Sequence, residues 1–279
     1  MKSIIIIILA LLSLKIQAQV NLSFDKRFVE CEDKWVAFKM NDDSTYSYGF
    51  IYIDAQAGLT YNSEGHFKPK EDGTFEVKKF TDSNIKIRLE PNNVKVAIIP
   101  QNMFKDLQIE AIPDWLKHYK TDINTAKRQY KLGYMYNGWN ECAKALTYLT
   151  KAYEIDPNFK GLIVELSFTY NCLKQYNKAV EILEKEIEKS PKDNYINKEY
   201  IYSLVKIENI EKASTQFYSS VKLLKDDSFN AENAFQIMQY YYIQKDKKNF
   251  KIWYDELKKW PNENEQIKEF AELMKKELK

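Results

Sequence analysis

The sequence predicts an α+β chain in which a small antiparallel β domain precedes an all-α solenoid of stacked helix pairs. Three observations predict it. Apolar residues alternate with a two-residue period across residues 28–100. Helical spacing takes over after Thr121, and beyond that point whole columns of residues recur every 34 positions.

Ahead of the β region, Lys2 precedes an unbroken apolar run over residues 4–14, Lys15 ends it, and a short polar stretch closes at Ala18. That outline is a signal peptide, residues 1–18, because the run falls short of the ~20 apolar residues that cross a bilayer. No later segment has the length to be a transmembrane span. A lipid anchor would need a cysteine at the cleavage point, and Cys31 lies well downstream. The expected product is exported, either periplasmic or secreted. Loss of Lys2 and Lys15 leaves 40 basic against 40 acidic groups, and only Arg27, Arg88 and Arg128 are arginines. Affinity for nucleic acid rests on concentrated positive charge, so that class of partner is not expected.

Residues 19–120 read as a β-rich domain with a connecting helix. Trp35, Ala37 and Met40 come first; Tyr46, Tyr48, Phe50 and Tyr52 then fall on one side of an extended run. Phe75 and Val77, then Ile85, Ile87 and Leu89, then Val94, Val96 and Ile98 repeat the period. Turn signals separate them at Asp42-Asp43, Asn62-Ser63, Asp72-Gly73 and Pro91-Asn92-Asn93. About five to seven strands are expected, closed as a barrel or covered by a helix. Residues 102–120, with Pro113 opening a turn, supply a short helix and the bridge to the helical region.

Past Thr121 the columns are Leu132, Leu166 and Tyr200; Tyr136, Tyr170 and Leu204; Ala145, Ala179 and Ala213; and Leu149, Leu183 and Phe217. Pro157 and Pro191 close the first two units, where a missing amide hydrogen stops a helix. These columns resemble the tetratricopeptide repeat family: a large apolar residue, a small one, an aromatic three further on, an alanine in the second helix, then proline. The units run over residues 126–159, 160–193, 194–228 and 231–261, the last requiring an insertion of about three residues near 226–230. Residues 262–279 form a capping helix whose apolar stripe is Ile267, Phe270, Ala271 and Met274. The small residues Gly133 and Ser167 allow each first helix to approach its partner opposite Ala145 and Ala179.

The resemblance implies a concave face lined by the first helices and open to a segment of another protein. Its lining would be Lys127, Tyr130, Tyr134 and Asn137, then Val164, Phe168 and Asn171, then Tyr195, Lys198 and Tyr202, continuing to Phe235 and Gln239. One subgroup of the family grips a C-terminal carboxylate with a Lys and an Asn in the first unit, but those places hold Tyr130 and Tyr134 here. The expected function is a non-enzymatic interaction scaffold, the β domain docking elsewhere on the same assembly. A competing arrangement packs several of these tyrosines against one another or against the β domain. A competing function makes the β domain the active part, stacking glycan on Trp35, Tyr46, Tyr48 and Tyr52.

Reactive groups are few. His66, in an expected loop, and His118, in the connecting helix, are the two histidines, and no Cys/His cluster has metal spacing. Neither a metal nor a cofactor is expected. An enzyme reading would need His66 beside an acid or a serine in a cleft. The acid pairs Asp42-Asp43 and Glu71-Asp72 fall at turns. Cys31, Cys142 and Cys172 cannot all pair; they read as buried small apolar residues, with one disulfide open to them in an oxidising compartment.

Overall fold

The computed structural model describes residues 22–80, 85–261 and 264–278. The predicted signal peptide, residues 1–18, lies outside them. Two units divide between Thr121 and Asp122.

The first unit is a sheet of β1 (Lys34–Ala37), β2 (Tyr46–Asp54), β3 (Gly58–Pro69), β4 (Phe75–Lys79), β5 (Lys86–Arg88) and β6 (Ala97–Ile98). Its path is β4-β3-β2-β1-β6, with β5 on the first half of β3, and every pairing is antiparallel. β2 sits in the middle, and both of its faces are buried: Tyr48, Phe50 and Tyr52 on one, Ile51 and Ile53 on the other. Residues 99–119 cover the aromatic face, bringing Ile99, Met103, Leu107, Trp115, Leu116 and Tyr119 onto Trp35, Phe50 and Tyr52. Trp35 Nε1 donates to the Glu110 carbonyl at 2.7 Å, so the indole's one polar atom is satisfied inside the cluster. The cover consists of short 3-10 turns, Gln101–Met103 and Asp114–Tyr119, rather than an α-helix.

Three local expectations in this unit are corrected. Asn62-Ser63 is not a turn but lies inside β3. The β2–β3 turn is at Asp54, whose Oδ1 accepts from the amides of Gln56 and Ala57, a side-chain mimic of a backbone turn that alternation does not register. His66 therefore stands in a strand and not in a loop. Ile85, Ile87, Val94 and Ile98 are exposed, because β5 and β6, of three and two residues, are too short to close a second layer over themselves. The Asp72-Gly73 hairpin forms, with Gly73 at φ +84° and Asp72 Oδ1 bonded to Thr74.

The second unit is helical among its described residues. It holds α1 (Ala126–Gly138), α2 (Cys142–Ile155), α3 (Leu162–Cys172), α4 (Tyr176–Lys189), α5 (Asn194–Lys206), α6 (Ile210–Leu223), α7 (Asn230–Ile243), α8 (Lys247–Leu257) and α9 (Glu265–Glu277). The second helix of each pair begins 34, 34 and 37 residues after the one before. Each turn within a pair places one non-glycine residue at positive φ, namely Asn140, Lys174, Glu208 and Lys245. α1 packs on α2, α3 on α4, α5 on α6 and α7 on α8, and the odd-numbered helices also touch in succession. That closer approach on the odd-helix side bends such an array toward it. Between the helices, Leu132, Tyr136, Ala145, Leu149, Leu166, Ala179, Leu183, Tyr200, Ala213 and Phe217 are buried. Ser167 is fully enclosed, Tyr170 is half-buried with Lys178 over its ring, and Pro157 and Pro191 stand just past α2 and α4. α9 closes the end with Ala271, Ile267 and Met274 inward, while Phe270 points out, 52% exposed, contrary to its place in the expected stripe.

Candidate functional site

The odd-helix face has two layers, and the lower one is polar. Asn137 on α1 donates through Nδ2 to Glu165 Oε2 at 2.8 Å and to the Glu165 carbonyl at 3.1 Å on α3. Thr169 Oγ1 donates to Asn137 Oδ1 at 2.9 Å. The arrangement repeats one unit on: Asn171 Nδ2 donates to Glu199 Oε2 at 2.8 Å, and Ser203 Oγ donates to Asn171 Oδ1 at 2.9 Å. Asn137 and Asn171 are 5% and 6% exposed, so these two amides, assigned to the open face from sequence, bind helix to helix instead. Phe235 belongs to the core as well. The ladder itself is a feature sequence reasoning missed. The 34-residue recurrence of Asn137 and Asn171, Glu165 and Glu199, and Thr169 and Ser203 was the signal for it.

Burial raises the pKa of Glu165 and Glu199, and the Asn amides only partly offset it. A carboxyl held above its unfolded value destabilises the fold when ionised, so the penalty is present above the raised pKa and fades as pH falls toward the ordinary carboxylate range. Glu199→Gln keeps an acceptor for Asn171 and removes the buried charge. Urea midpoints should be higher for Glu199→Gln than for wild type at pH 8, with the gap closing toward pH 4.5. A gap that widens in acid would mean that the charge itself stabilises the ladder.

Above the ladder lie the aromatic side chains. Tyr134 and Tyr195 are more than half exposed, Phe168 is 38% exposed, and Lys127 is exposed. Tyr130 is half-buried against Phe159, and burial pushes its phenol up to about 12. Tyr202 is half-buried beside Tyr176, and Val164 packs against the core. Lys198 lies over the Phe229 ring and pairs with Glu232 at 3.3 Å, which joins α5 to α7. Gln239 is half-buried on α7. The structure therefore presents Tyr134, Phe168 and Tyr195 exposed on three successive odd helices that the Asn–Glu bonds tie together.

The helical unit is a solenoid of stacked helix pairs with a 34-residue repeat over its first three pairs. No protein-family model matches the sequence, and a search of curated proteins finds no match. Among solved structures, the chain is similar to YrrB, described as a tetratricopeptide repeat protein with an unusual peptide-binding site. That match has 16% identity and a TM-score of 0.47 over 57% of this chain and 80% of that one. MamA AMB-1 matches at 15% identity and TM-score 0.42, over 49% and 78% of the two chains. A tetratricopeptide repeat protein from Parabacteroides merdae matches at 13% identity and TM-score 0.43, over 62% of each.

The groups considered for other chemistry are also placed. Trp35, Tyr48 and Tyr52 are at most 4% exposed, and Tyr46 is stacked between Phe24 and Phe67, so this aromatic row is core and offers no platform to a sugar. His66 Nδ1 does share a hydrogen bond with Ser47 Oγ, at 3.1 Å. The two are cross-strand partners in register, and the Asn41 amide donates to the same hydroxyl at 3.2 Å. Phe80 stands edge-on to the imidazole, and among the described residues no carboxylate bonds to it as the orienting third group of a nucleophile–base pair would. Cys142 and Cys172 form a disulfide between the start of α2 and the end of α3, so of the two readings left open by the sequence the paired one holds for them. Cys31 is free, and burial pushes its thiol up to about 12. Among the described residues no helix is long and apolar enough to cross a membrane.

Proposed function

We propose that this protein is an exported, non-enzymatic interaction scaffold whose odd-helix face takes a segment of another protein. One observation carries the reading. Tyr134, Phe168 and Tyr195 stand exposed on consecutive odd helices beside a polar ladder that bonds helix to helix. Exposed aromatics on a rigid base bring large contact area at small entropic cost, the character of interface anchors. The ladder's helix-to-helix bonds hold that base in place without the partner.

Export is supported by the signal-peptide outline and by the Cys142–Cys172 bond, since structural disulfides persist in oxidising compartments. Tyr134→Ala, Phe168→Ala and Tyr195→Ala combined should abolish co-purification of at least one protein captured by the wild type in native-cell pull-downs. Helix content should stay unchanged, because none of the three side chains is core. If the folded triple variant captures the same proteins in the same amounts, this face is not the binding surface.

A further inference from the structure

Where the turn between α3 and α4 meets the C-terminus of α5, the solenoid has a cleft of about 650 Å³. Lys174, Lys178 and Lys206 line it, together with Gln175, Tyr176, Asn177 and Ile207, and the buried Gln175 Oε1 accepts no hydrogen bond among the described residues. It is wide open to solvent, so it suits side chains of a partner laid across it rather than an enclosed small ligand. Elsewhere in this unit lysines are commonly paired: Lys185 with Glu181, Lys212 with Glu184, Lys251 with Asp255, Lys259 with Glu256 and Lys268 with Glu265. Among the described residues the three cleft lysines have no carboxylate partner. Lys178 and Lys206 are instead held over the rings of Tyr170 and Tyr202, at 5.7 and 5.0 Å, which positions the charges without neutralising them.

The backbone adds to the same field. α4 begins in the cleft with no side-chain cap on its first amides and no acid in its first turn, so the positive end of its dipole reinforces the lysines. We propose that this cleft binds acidic side chains of a partner polypeptide. The charges are spread over two helix ends around a space larger than one small anion. They are lysines rather than the forked arginines that best fit phosphate. Tyr176 and Ile207 offer apolar surface to the methylenes of glutamate. Tyr176 also touches Tyr202, at 6.3 Å between ring centres, so the cleft opens beside α5, the helix that carries Tyr195. The carboxylate grip known in some tetratricopeptide repeat proteins would occupy the first unit's inner face, and this cleft lies elsewhere.

The inference adds a charge to the partner proposed above but stands on different residues. The test is fluorescence anisotropy of a dye-labelled hexaglutamate peptide with the full chain. Binding should weaken with salt, and Lys174→Gln, Lys178→Gln and Lys206→Gln together should lower affinity about tenfold or more, as expected for three modest ion pairs. The matching Lys→Arg triple should bind within about threefold of wild type. Lys185→Gln, Lys251→Gln and Lys268→Gln, which remove the same charge from other surfaces, should do likewise. No binding, an equal loss in the two Gln triples, or displacement by inorganic phosphate at the peptide's own concentration would overturn the proposal. Tyr134→Ala, Phe168→Ala and Tyr195→Ala should leave hexaglutamate binding intact, so failure at the cleft leaves the aromatic-face reading standing.

Discussion

Replacing Gly133 with alanine should destabilise the protein, although the same change in an exposed helix stabilises by about 1 kcal/mol through lower backbone entropy. A Cβ at Gly133 would lie 2.3 Å from Leu149 Cγ and 2.5 Å from Cδ2, well inside contact distance. Neither side can yield freely. Leu149 is fully buried, and α1 is pinned by Leu132 and Tyr136 on the same packed face and by Asn137 bonded to α3. Overpacking of this kind costs about 1–3 kcal/mol, and Gly133→Val, with two further carbons, should exceed the alanine variant.

The same helix contains its own control. A Cβ at Gly138 would meet nothing within 4 Å, so Gly138→Ala should raise the urea midpoint, by about 0.5–1 kcal/mol in stability. A cycle with Leu149→Ala locates the clash, because Gly133→Ala combined with Leu149→Ala should cost less than the sum of the two single variants. If Gly133→Ala stabilises, or if the costs add, the two helices are not in the close contact described.

That contact also shows which features of the fold could be read from the sequence. Gly133, Leu149 and Ala145 repeat as Ser167, Leu183 and Ala179 because packing geometry forces small residues where helices nearly touch, and a 34-residue register makes the constraint visible. The β unit offers no such redundancy. Each strand appears once, so the alternation of Ile85 and Ile87 looked like a buried face, although three residues paired on one side leave it exposed. The β2–β3 turn was hidden for a related reason, since Asp54 makes it with a side-chain oxygen and no Asn-Gly or Asp-Gly marks it.

At the candidate site, Tyr134, Phe168 and Tyr195 were legible as surface residues of first helices. Asn137 and Asn171 were misplaced because an amide on a helix face reads as solvent-seeking until its partner 28 residues later is known. The lysine cleft was invisible for the same kind of reason. Lys174 and Lys178 are close in sequence, but Lys206 joins them only through the stacking of one repeat on the next.

Stacking also sets the effect expected from the disulfide. Cys142 and Cys172 are 30 residues apart with Cα atoms at 6.3 Å, and the loop they close holds α2, the turn after it and α3. Closing a loop of that length removes chain entropy from the unfolded state worth about 3–4 kcal/mol. Cys142→Ala combined with Cys172→Ala, or reduction of the wild type, should therefore lower stability by about that amount. Because repeats pass stability mainly to their neighbours, the loss should concentrate at the first two units. In hydrogen exchange, amides of α1, α2 and α3 should lose more protection than those of α7 and α8. Uniform loss along the array would mean that it unfolds as one block.

The thiol count tests the compartment. Protein taken from cells directly into acid, then unfolded and alkylated without reductant, should show one reactive thiol, Cys31, and three after reduction. Three reactive thiols before reduction would mean that the bond does not form where the protein resides. Export would then lose the disulfide as support, while the helix packing around Gly133 and the face carrying Tyr134 and Phe168 would stand, because neither depends on the sulfur bridge.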